Sequence, residues 1–247
     1  MMHSYRANSA ALLLALVLVS GAAPAQEWSY EGATGPENWG KLDPKFALCS
    51  TGKNQSPVDL EGTIAAQLKP LEFKYVPGAR EIVNTGHTIQ INYAPGSALI
   101  VENQYFQLTQ FHFHAPSENR IGGKSYPLEA HLVHTDKSGN LAVLGIMFTG
   151  GAANPLLAKL WEKMPTTKDG KADLPAGLNV MQMLPTLKAY YRFNGSLTTP
   201  PCSEGVRWLL MKSAVTASRE QIGQFLRAIG HTNNRPLQPV NARPLLK

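Results

Sequence analysis

Two histidines stand two positions apart in a segment that alternates like a β-strand. His112 and His114 lie in the pentapeptide QFHFH at residues 110–114. In a strand, residues i and i+2 share a face, so both imidazoles project from one face while Phe111 and Phe113 project from the other. The pattern predicts one polar face that can hold a metal and one face that belongs to the core.

A third histidine extends this pattern. His131 lies in LEAHLV at residues 128–133, which alternates in the same way and follows a Gly122-Gly123 turn. If the two segments pair antiparallel, the three imidazoles converge. Three neutral nitrogens with a fourth position open form the ligand set of a catalytic zinc site rather than a closed structural one.

Each half of this arrangement carries a polar residue two positions before a histidine. Gln110 precedes His112 and Glu129 precedes His131, so each shares the face of that histidine and can accept the ring N–H that zinc leaves free. A lone His-x-His pair is common in strands without any metal, and these partners are what favour the metal. His134 has the opposite parity to His131, which assigns it to the core or to a hydrogen bond.

The elements that must position these residues are mainly β. Residues 89–93 alternate, and residues 141–148 form a nearly continuous apolar run, as expected of a buried strand. Helical signals are fewer: one candidate covers residues 155–164, and Ser218 with Gln221 forms a capping box before apolar residues at helical spacing. We predict a mainly β domain with short surface helices and with irregular stretches at residues 28–57, 168–175 and 231–247 wrapped around the sheet.

The N-terminus indicates export. Arg6 precedes an apolar run over residues 10–19, and Ala23-Pro24-Ala25 provides small residues at a cleavage site, so residues 1–25 are predicted to be a signal peptide. That run is too short to span a bilayer. Residues 26–247 are long enough for one large domain, and they contain no linker-like stretch that would divide them.

Composition limits the partners and the redox environment. The net charge of +6 comes from scattered Lys and Arg residues, which argues against a nucleic-acid groove. No later segment is apolar enough to predict a membrane span. The two cysteines, Cys49 and Cys202, can form one intramolecular disulfide, which we expect in an oxidising compartment.

At this point the chain resembles an α-class carbonic anhydrase of the bacterial periplasmic or secreted type. The resemblance rests on residues 110–114, on Glu129-Ala-His131, on GSLTTPP at residues 195–201 and, more weakly, on residues 55–57 and 28–30. It implies a large, twisted, mostly antiparallel sheet of about ten strands, with Zn²⁺ at the base of a conical cleft. The positions of Cys49 and Cys202 match the disulfide of secreted members.

The resemblance also implies a reaction, the reversible hydration of carbon dioxide to bicarbonate and a proton. Zinc hydroxide is the expected nucleophile. Thr198 matches the threonine that orients it, Glu118 matches the carboxylate that accepts the threonine's proton, and Thr199 is expected to face substrate or bicarbonate. Five residues match an apolar wall for carbon dioxide, although by composition alone each fits the core equally well: Val133, Val143, Leu197, Val206 and Trp208.

The expected proton route runs through His87, which matches the family's shuttle histidine, with Tyr30 in the solvent network. Strict alternation puts His87 on the face opposite Gln90, whereas the resemblance places both in the cleft, so we expect a bulge near Gly86. An exposed loop histidine with no role is the alternative. Thr85 and Gln90 replace asparagines of the animal members.

Two other functions compete with this one. A zinc hydroxide also attacks activated esters, so a secondary esterase activity is expected. From another class, a catalytically silent relative would use the same fold as a binding module, but such relatives lose zinc histidines that are present here. The resemblance further predicts inhibition by sulfonamides and anions and a periplasmic or secreted location, and since some members are dimers, it leaves the oligomeric state open.

Overall fold

A computed structural model describes residue 1 and residues 27–247. The predicted signal peptide therefore lies outside the described residues, apart from Met1. The described part contains eleven strands and four α-helices. The strands are β1 (Glu72–Lys74), β2 (Ala79–Asn84), β3 (Ile89–Tyr93), β4 (Ala98–Val101), β5 (Gln104–His114), β6 (Leu128–Thr135), β7 (Leu141–Gly150), β8 (Lys171–Asp173), β9 (Tyr190–Ser196), β10 (Glu204–Met211) and β11 (Val215–Ala217). The helices are α1 (Trp39–Leu42), α2 (Leu48–Thr51), α3 (Pro155–Trp161) and α4 (Arg219–Ile229).

The strands form one mixed sheet, which confirms the predicted fold class. Its main path runs β8-β2-β3-β5-β6-β7-β10-β9, while β4 joins β5 to β1 and β11 pairs with β7. Pairing is antiparallel except where β10 and β11 meet β7. The predicted pairing of the two histidine strands is correct, because β5 and β6 are antiparallel with His112 opposite His131.

The two faces of the central strands have different chemistry. Phe111 and Phe113 are buried in a large apolar cluster that also contains Leu156 and Phe225 from α3 and α4. The opposite face carries the histidines and a second apolar cluster around Trp208. The alternation seen in the sequence is thus realised, and the helices cover the face that holds no histidine ligands.

Both predicted helices form, with one difference in length. Helix α4 begins at the predicted capping box, in which Ser218 and Gln221 bond reciprocally. Helix α3 begins after Asn154, whose side chain accepts from two backbone N–H groups, but it ends at Trp161 rather than at residue 164. Beyond Trp161 the bonds tighten to the i→i−3 type, with the Lys163 and Met164 N–H groups donating to the carbonyl oxygens of Leu160 and Trp161, and Pro165 then disfavours helical backbone at Met164.

Two of the irregular stretches contain short regular elements that the sequence did not reveal. Residues 28–57 include α1 and α2, and residues 168–175 include β8, which pairs with β2 at one end of the main sheet path. A three-residue strand whose two outer side chains are exposed gives no usable periodicity. The C-terminal stretch does wrap the sheet, and Leu246 bridges to Ile64 and Arg192.

Cys49 and Cys202 form the predicted disulfide, with Cα atoms 5.0 Å apart and a sequence separation of 153. Both are buried beside Trp39. In the chain-entropy model a loop of this length is worth about 5 kcal/mol. Among the described residues, no helix is both long enough and apolar enough to cross a membrane.

His134 lies in the core, on the face of β6 opposite His131, as its parity predicts. Its Nε2 is 2.7 Å from the Tyr75 hydroxyl and its Nδ1 is 3.2 Å from the Ala142 carbonyl oxygen. A neutral imidazole satisfies both contacts, donating from Nδ1 and accepting at Nε2. Burial lowers the pKa of His134 to about 4.

This shift predicts an acid-dependent loss of stability. Because the folded state disfavours the proton and the unfolded histidine titrates near 6.5, the free energy of unfolding falls as the pH drops from about 6.5 to about 4, by about 3 kcal/mol in total. In urea titrations across this range, the free energy of unfolding of His134→Gln should fall by about 3 kcal/mol less than that of the wild-type protein. Tyr75→Phe keeps the imidazole and should keep the wild-type slope. Equal slopes for wild type and His134→Gln would contradict the assignment.

Candidate metal centre

The three histidines converge on one point of the sheet. One ligand nitrogen from each of His112, His114 and His131 lies within 4.8 Å of the others. His114 and His131 are buried, and His112 is partly buried. Strand β5 supplies two of these side chains and β6 the third, so the spacing is fixed by the register of one antiparallel pair.

Hydrogen bonds fix which nitrogen of each imidazole in β5 faces the centre. His112 Nδ1 lies 2.8 Å from Gln110 Oε1, and His114 Nδ1 lies 2.7 Å from the Asn233 carbonyl oxygen. Each Nδ1 therefore carries the proton, which leaves Nε2 to bind a metal. In the part of the chain that the structure describes, His114 Nε2 is buried with no hydrogen-bond partner. A metal ion would satisfy this atom.

His131 uses the other nitrogen. Its Nε2 lies 2.9 Å from Glu129 Oε1, a hydrogen-bonding distance, although the alignment is not that of a full hydrogen bond. Both atoms are buried, and the carboxylate oxygen is the acceptor beside this ring nitrogen. Nδ1 then faces the centre, 3.8 Å from Glu118 Oε2.

Several hydrogen bonds fix the Glu129 carboxylate beside His131. Its Oε2 accepts the backbone N–H groups of Glu118 and Asn119 at 2.8 and 3.0 Å, and its Oε1 accepts the Asn119 side-chain amide at 2.8 Å. Gly145 lies opposite His131 on β7, and a Cβ there would approach Leu210 Cδ1 to 2.3 Å and Glu129 Oε1 to 3.2 Å. The glycine provides the space in which the carboxylate sits.

The electrostatics of the centre suit a cation. Burial lowers the pKa of all three histidines, and mutual repulsion between protonated rings lowers those of His112 and His131 further. The imidazoles are therefore neutral, as metal ligands must be. Burial also raises the pKa of Glu118 to about 8, while the N–H of Arg235 and the hydroxyl of Thr198 lower it. A divalent cation nearby would favour the ionised carboxylate.

Glu118 and Thr198 lie at the rim of this cluster. Glu118 Oε1 accepts the Arg235 backbone N–H at 2.9 Å, and its Oε2 is 3.5 Å from His114 Nε2. Thr198 is close enough to affect the pKa of Glu118, but Oε2 has no partner in full hydrogen-bond geometry within the described residues. Thr199 follows in the same loop, and its carbonyl oxygen accepts from the N–H of Cys202 at 2.8 Å.

An apolar surface borders the metal centre. The five residues matched to a substrate wall belong to one apolar cluster: Val133, Val143, Leu197, Val206 and Trp208. The Trp208 ring contacts the His131 ring edge-to-face at 4.8 Å between centroids. Its indole N–H donates to the Ser196 carbonyl oxygen at 3.0 Å, which ties the wall to the strand before Thr198.

His87 lies outside the strands. It occupies a turn in which its own N–H and that of Thr88 both approach Thr85 Oγ1, and Gly86 has a φ of +79°. The expected bulge near Gly86 is therefore wrong. Strand β3 begins only at Ile89, so strand parity does not constrain His87, while Gln90 pairs opposite His112.

Two aromatic residues of the N-terminal segment flank His87. Its ring stacks on Trp28 at 3.8 Å between centroids, and the Tyr30 ring lies 6.4 Å away. Burial and the cations of Lys168 and His231 lower the pKa of His87. Burial also raises the pKa of Tyr30 well above its usual range.

Comparison with known proteins agrees with this geometry. The family model of eukaryotic-type carbonic anhydrases matches residues 34–247. The chain belongs to the α-carbonic anhydrase family. The family is that of the carbonate dehydratases, and relatives that are 45–49% identical over most of the chain are named carbonic anhydrases.

Individual relatives in the α-carbonic anhydrase family match nearly the whole chain. The carbonic anhydrase of Pectobacterium carotovorum is 49% identical over 96% of the chain and 98% of its own length. That of Neisseria gonorrhoeae is 45% identical, covering 97% and 96%. The structure of the Thermovibrio ammonificans enzyme with sulfanilamide superposes with a TM-score of 0.89 at 47% identity, covering 91% of this chain and 100% of that one.

One structural relative is complexed with ascorbate. This protein, dioscorin, superposes with a TM-score of 0.84 at 33% identity and covers 89% of this chain. The fold alone therefore does not assign the ligand of this chain. The side chains at the metal centre must decide it.

Several residues of the site were missed by the sequence reasoning. Asn233 orients His114 from 119 positions away, Asn119 holds Glu129, and the backbone of Arg235 contacts Glu118. Two of these contacts use backbone groups, which any residue type could supply. No local pattern could have revealed them.

Proposed function

We propose that this protein catalyses the reversible hydration of carbon dioxide to bicarbonate and a proton. The observation that carries the proposal is the convergence of three imidazoles, two buried and one partly buried, with Glu118 and Thr198 beside one apolar wall. None of these features alone would indicate this reaction. Together they provide a metal site with an orienting hydroxyl and a surface for an apolar substrate.

Zn²⁺ is the proposed cofactor, held by Nε2 of His112, Nε2 of His114 and Nδ1 of His131. Imidazole ligands and a small buried site suit zinc. When bound, zinc supplies a Lewis acid that makes water a nucleophile near neutral pH. Gln110, Glu129 and the Asn233 carbonyl oxygen fix the three rings, so the ligands need little reorganisation to bind it.

Thr198 and Glu118 orient the reaction. An ionised Glu118 accepts the Thr198 hydroxyl proton, which leaves the threonine oxygen as an acceptor toward the attacking group. Thr199 is the next side chain of the loop and faces substrate or bicarbonate. Carbon dioxide offers no strong hydrogen-bonding group, so an apolar wall suits it better than a set of donors.

The measurement that tests this function is stopped-flow hydration of carbon dioxide by the mature chain, before and after removal of metal by a chelator. We expect activity that disappears on chelation and returns when one equivalent of Zn²⁺ is added. A chain that binds one zinc tightly yet stays inactive would support the binding-module alternative instead. Hydrolysis of an activated ester, measured in parallel, should follow the same zinc dependence at a much lower rate.

His87 is the proposed proton shuttle, with Tyr30 beside it. A group of pKa near 7 loses its proton to water at only about 10³ s⁻¹ when reprotonation is diffusion-limited, so faster turnover needs a titratable carrier. In weak buffer, His87→Ala should lower kcat by at least about tenfold and leave kcat/KM unchanged.

High concentrations of imidazole buffer provide the control for this variant, because a soluble imidazole can replace the missing side chain. They should restore kcat in His87→Ala. A kcat that is unaffected by His87→Ala in weak buffer would exclude the shuttle role.

Inhibition and location follow from the same family. Solved relatives include complexes with sulfanilamide and with acetazolamide. We infer that sulfonamides and small anions inhibit this protein.

We also infer that the enzyme is exported, with residues 1–25 removed and residues 26–247 forming one catalytic domain. The Cys49–Cys202 disulfide supports an oxidising compartment. Sedimentation of the mature chain would distinguish a monomer from a homodimer.

A further inference from the structure

His231 reaches back from the end of α4 to the turn that carries His87. It follows Gly230, whose left-handed φ of +80° ends the helix. Its Nε2 lies 3.0 Å from the Gly86 carbonyl oxygen, and its Nδ1 lies 2.8 Å from the carbonyl oxygen of Thr232. The ring also packs against Tyr30 at 5.7 Å between centroids.

The contact with Gly86 requires a donor at Nε2 of the imidazole. A carbonyl oxygen only accepts, so Nε2 of His231 carries the proton that bonds to the Gly86 carbonyl oxygen. His231 is therefore the donor that ties the end of α4 to the shuttle turn.

Asn233, two residues further along the chain, also bonds to the turn that carries His87. Asn233 Nδ2 donates to the His87 carbonyl oxygen at 3.0 Å and to the Phe113 carbonyl oxygen at 2.9 Å. The Asn233 carbonyl oxygen accepts from His114 Nδ1. Residues 231–233 thus hold two successive carbonyls of the shuttle turn and also one ligand of the metal centre.

We propose that His231 is a positioning residue for proton transfer: it anchors the Gly86 carbonyl and so fixes the turn from which His87 exchanges protons. This inference rests on the proposed shuttle role of His87. Among the described residues, no hydrogen bond or ring contact joins His231 to a metal ligand or to the apolar wall, so its effect is expected on the proton route.

His231 has a second effect on the same residue. His87 is faced by Lys168 and His231, which lower its pKa, and by Glu27 and Asp169, which raise it, after the larger effect of burial. Glu27 and Lys168 form an ion pair with each other. Replacing His231 with an uncharged residue should therefore raise the pKa of His87.

Two variants test the anchor. His231→Phe keeps a ring against Tyr30 but loses the donor to Gly86, whereas His231→Gln loses the ring and keeps an amide donor for Gly86. In weak buffer, His231→Phe should lower kcat about 2- to 10-fold, the effect of one lost hydrogen bond, with kcat/KM unchanged. His231→Gln should recover most of that loss. Both should shift the pH midpoint of kcat upward.

Nitrogen-15 spectra of the histidine rings test the anchor directly. Nε2 of His231 should carry a proton, as the donor to the Gly86 carbonyl oxygen. A ring protonated on Nδ1 alone, or a kcat for His231→Phe equal to wild type in weak buffer, would overturn the proposal.

The His87→Ala variant distinguishes this failure from failure of the shuttle itself. If His87→Ala slows turnover in weak buffer and His231→Phe does not, only the positioning role is wrong. If His87→Ala has no effect, the shuttle role is wrong, and the positioning role fails with it. In the double variant, His231→Phe should add nothing to His87→Ala.

Discussion

Replacing His131 with alanine is expected to remove zinc from the protein and to lower kcat/KM for carbon dioxide hydration by at least about 10³-fold. Only three protein ligands are proposed, so the loss of one leaves two imidazoles and an incomplete site. The activation of water by the metal, which lowers the pKa of a bound water to about 7, is then lost. Metal analysis after dialysis should find one zinc per wild-type chain and little in the variant.

The same strand offers a matched control. His134 is also a buried histidine of β6, but it faces the opposite side of the sheet and bonds to Tyr75. His134→Gln should keep one zinc per chain and near wild-type activity at pH 7.5. Because His131→Ala also leaves the buried Glu129 without its imidazole, circular dichroism must show that the variant is folded. A folded His131→Ala chain that keeps its zinc and a tenth of its activity would refute the ligand assignment.

The sequence was informative wherever function depends on strand parity. His112, His114 and His131 were predicted to share a face because alternation along a strand is a local property. The pairing of β5 with β6 followed from two such segments separated by a turn. The fold class and the disulfide were predictable for similar reasons: long buried strands and a single pair of cysteines leave few alternatives.

Prediction failed where geometry depends on distant backbone. A bulge near Gly86 was expected, because strand alternation was extended to His87, two residues before β3 begins at Ile89. The role of the C-terminal stretch was also underestimated. Asn233 and Arg235 reach the site from a segment without periodicity, and they act partly through N–H and C=O groups that carry no sequence signal.

The second large effect concerns the hydroxyl of Thr198. Thr198→Val keeps the shape of the side chain and removes its hydroxyl, and we expect kcat/KM to fall about 10²-fold, which is typical for the loss of one preorganised hydrogen-bonding group. Thr198→Ser keeps the hydroxyl and should stay within a few-fold of wild type. Unlike His131→Ala, all of these variants should retain one zinc per chain.

Glu118 determines which way that hydroxyl points. Its Oε1 is already occupied by the Arg235 N–H, and Oε2 is left to accept from Thr198. In Glu118→Gln, an amide can donate to the threonine oxygen, so the threonine proton would turn toward the attacking group and the oxygen could no longer accept from that group. The expected loss is of the same order as that in Thr198→Val.

A double-mutant cycle tests whether the two residues act as one unit. If Glu118 acts only through Thr198, then Thr198→Val with Glu118→Gln should be about as slow as either single variant, because the second change removes an interaction that is already gone. Multiplication of the two losses would instead show that Glu118 contributes separately, by placing a negative charge 3.5 Å from His114 Nε2. Zinc content equal to wild type in all three variants is required for either conclusion, because it shows that the loss concerns orientation of the reacting group and not occupancy of the site.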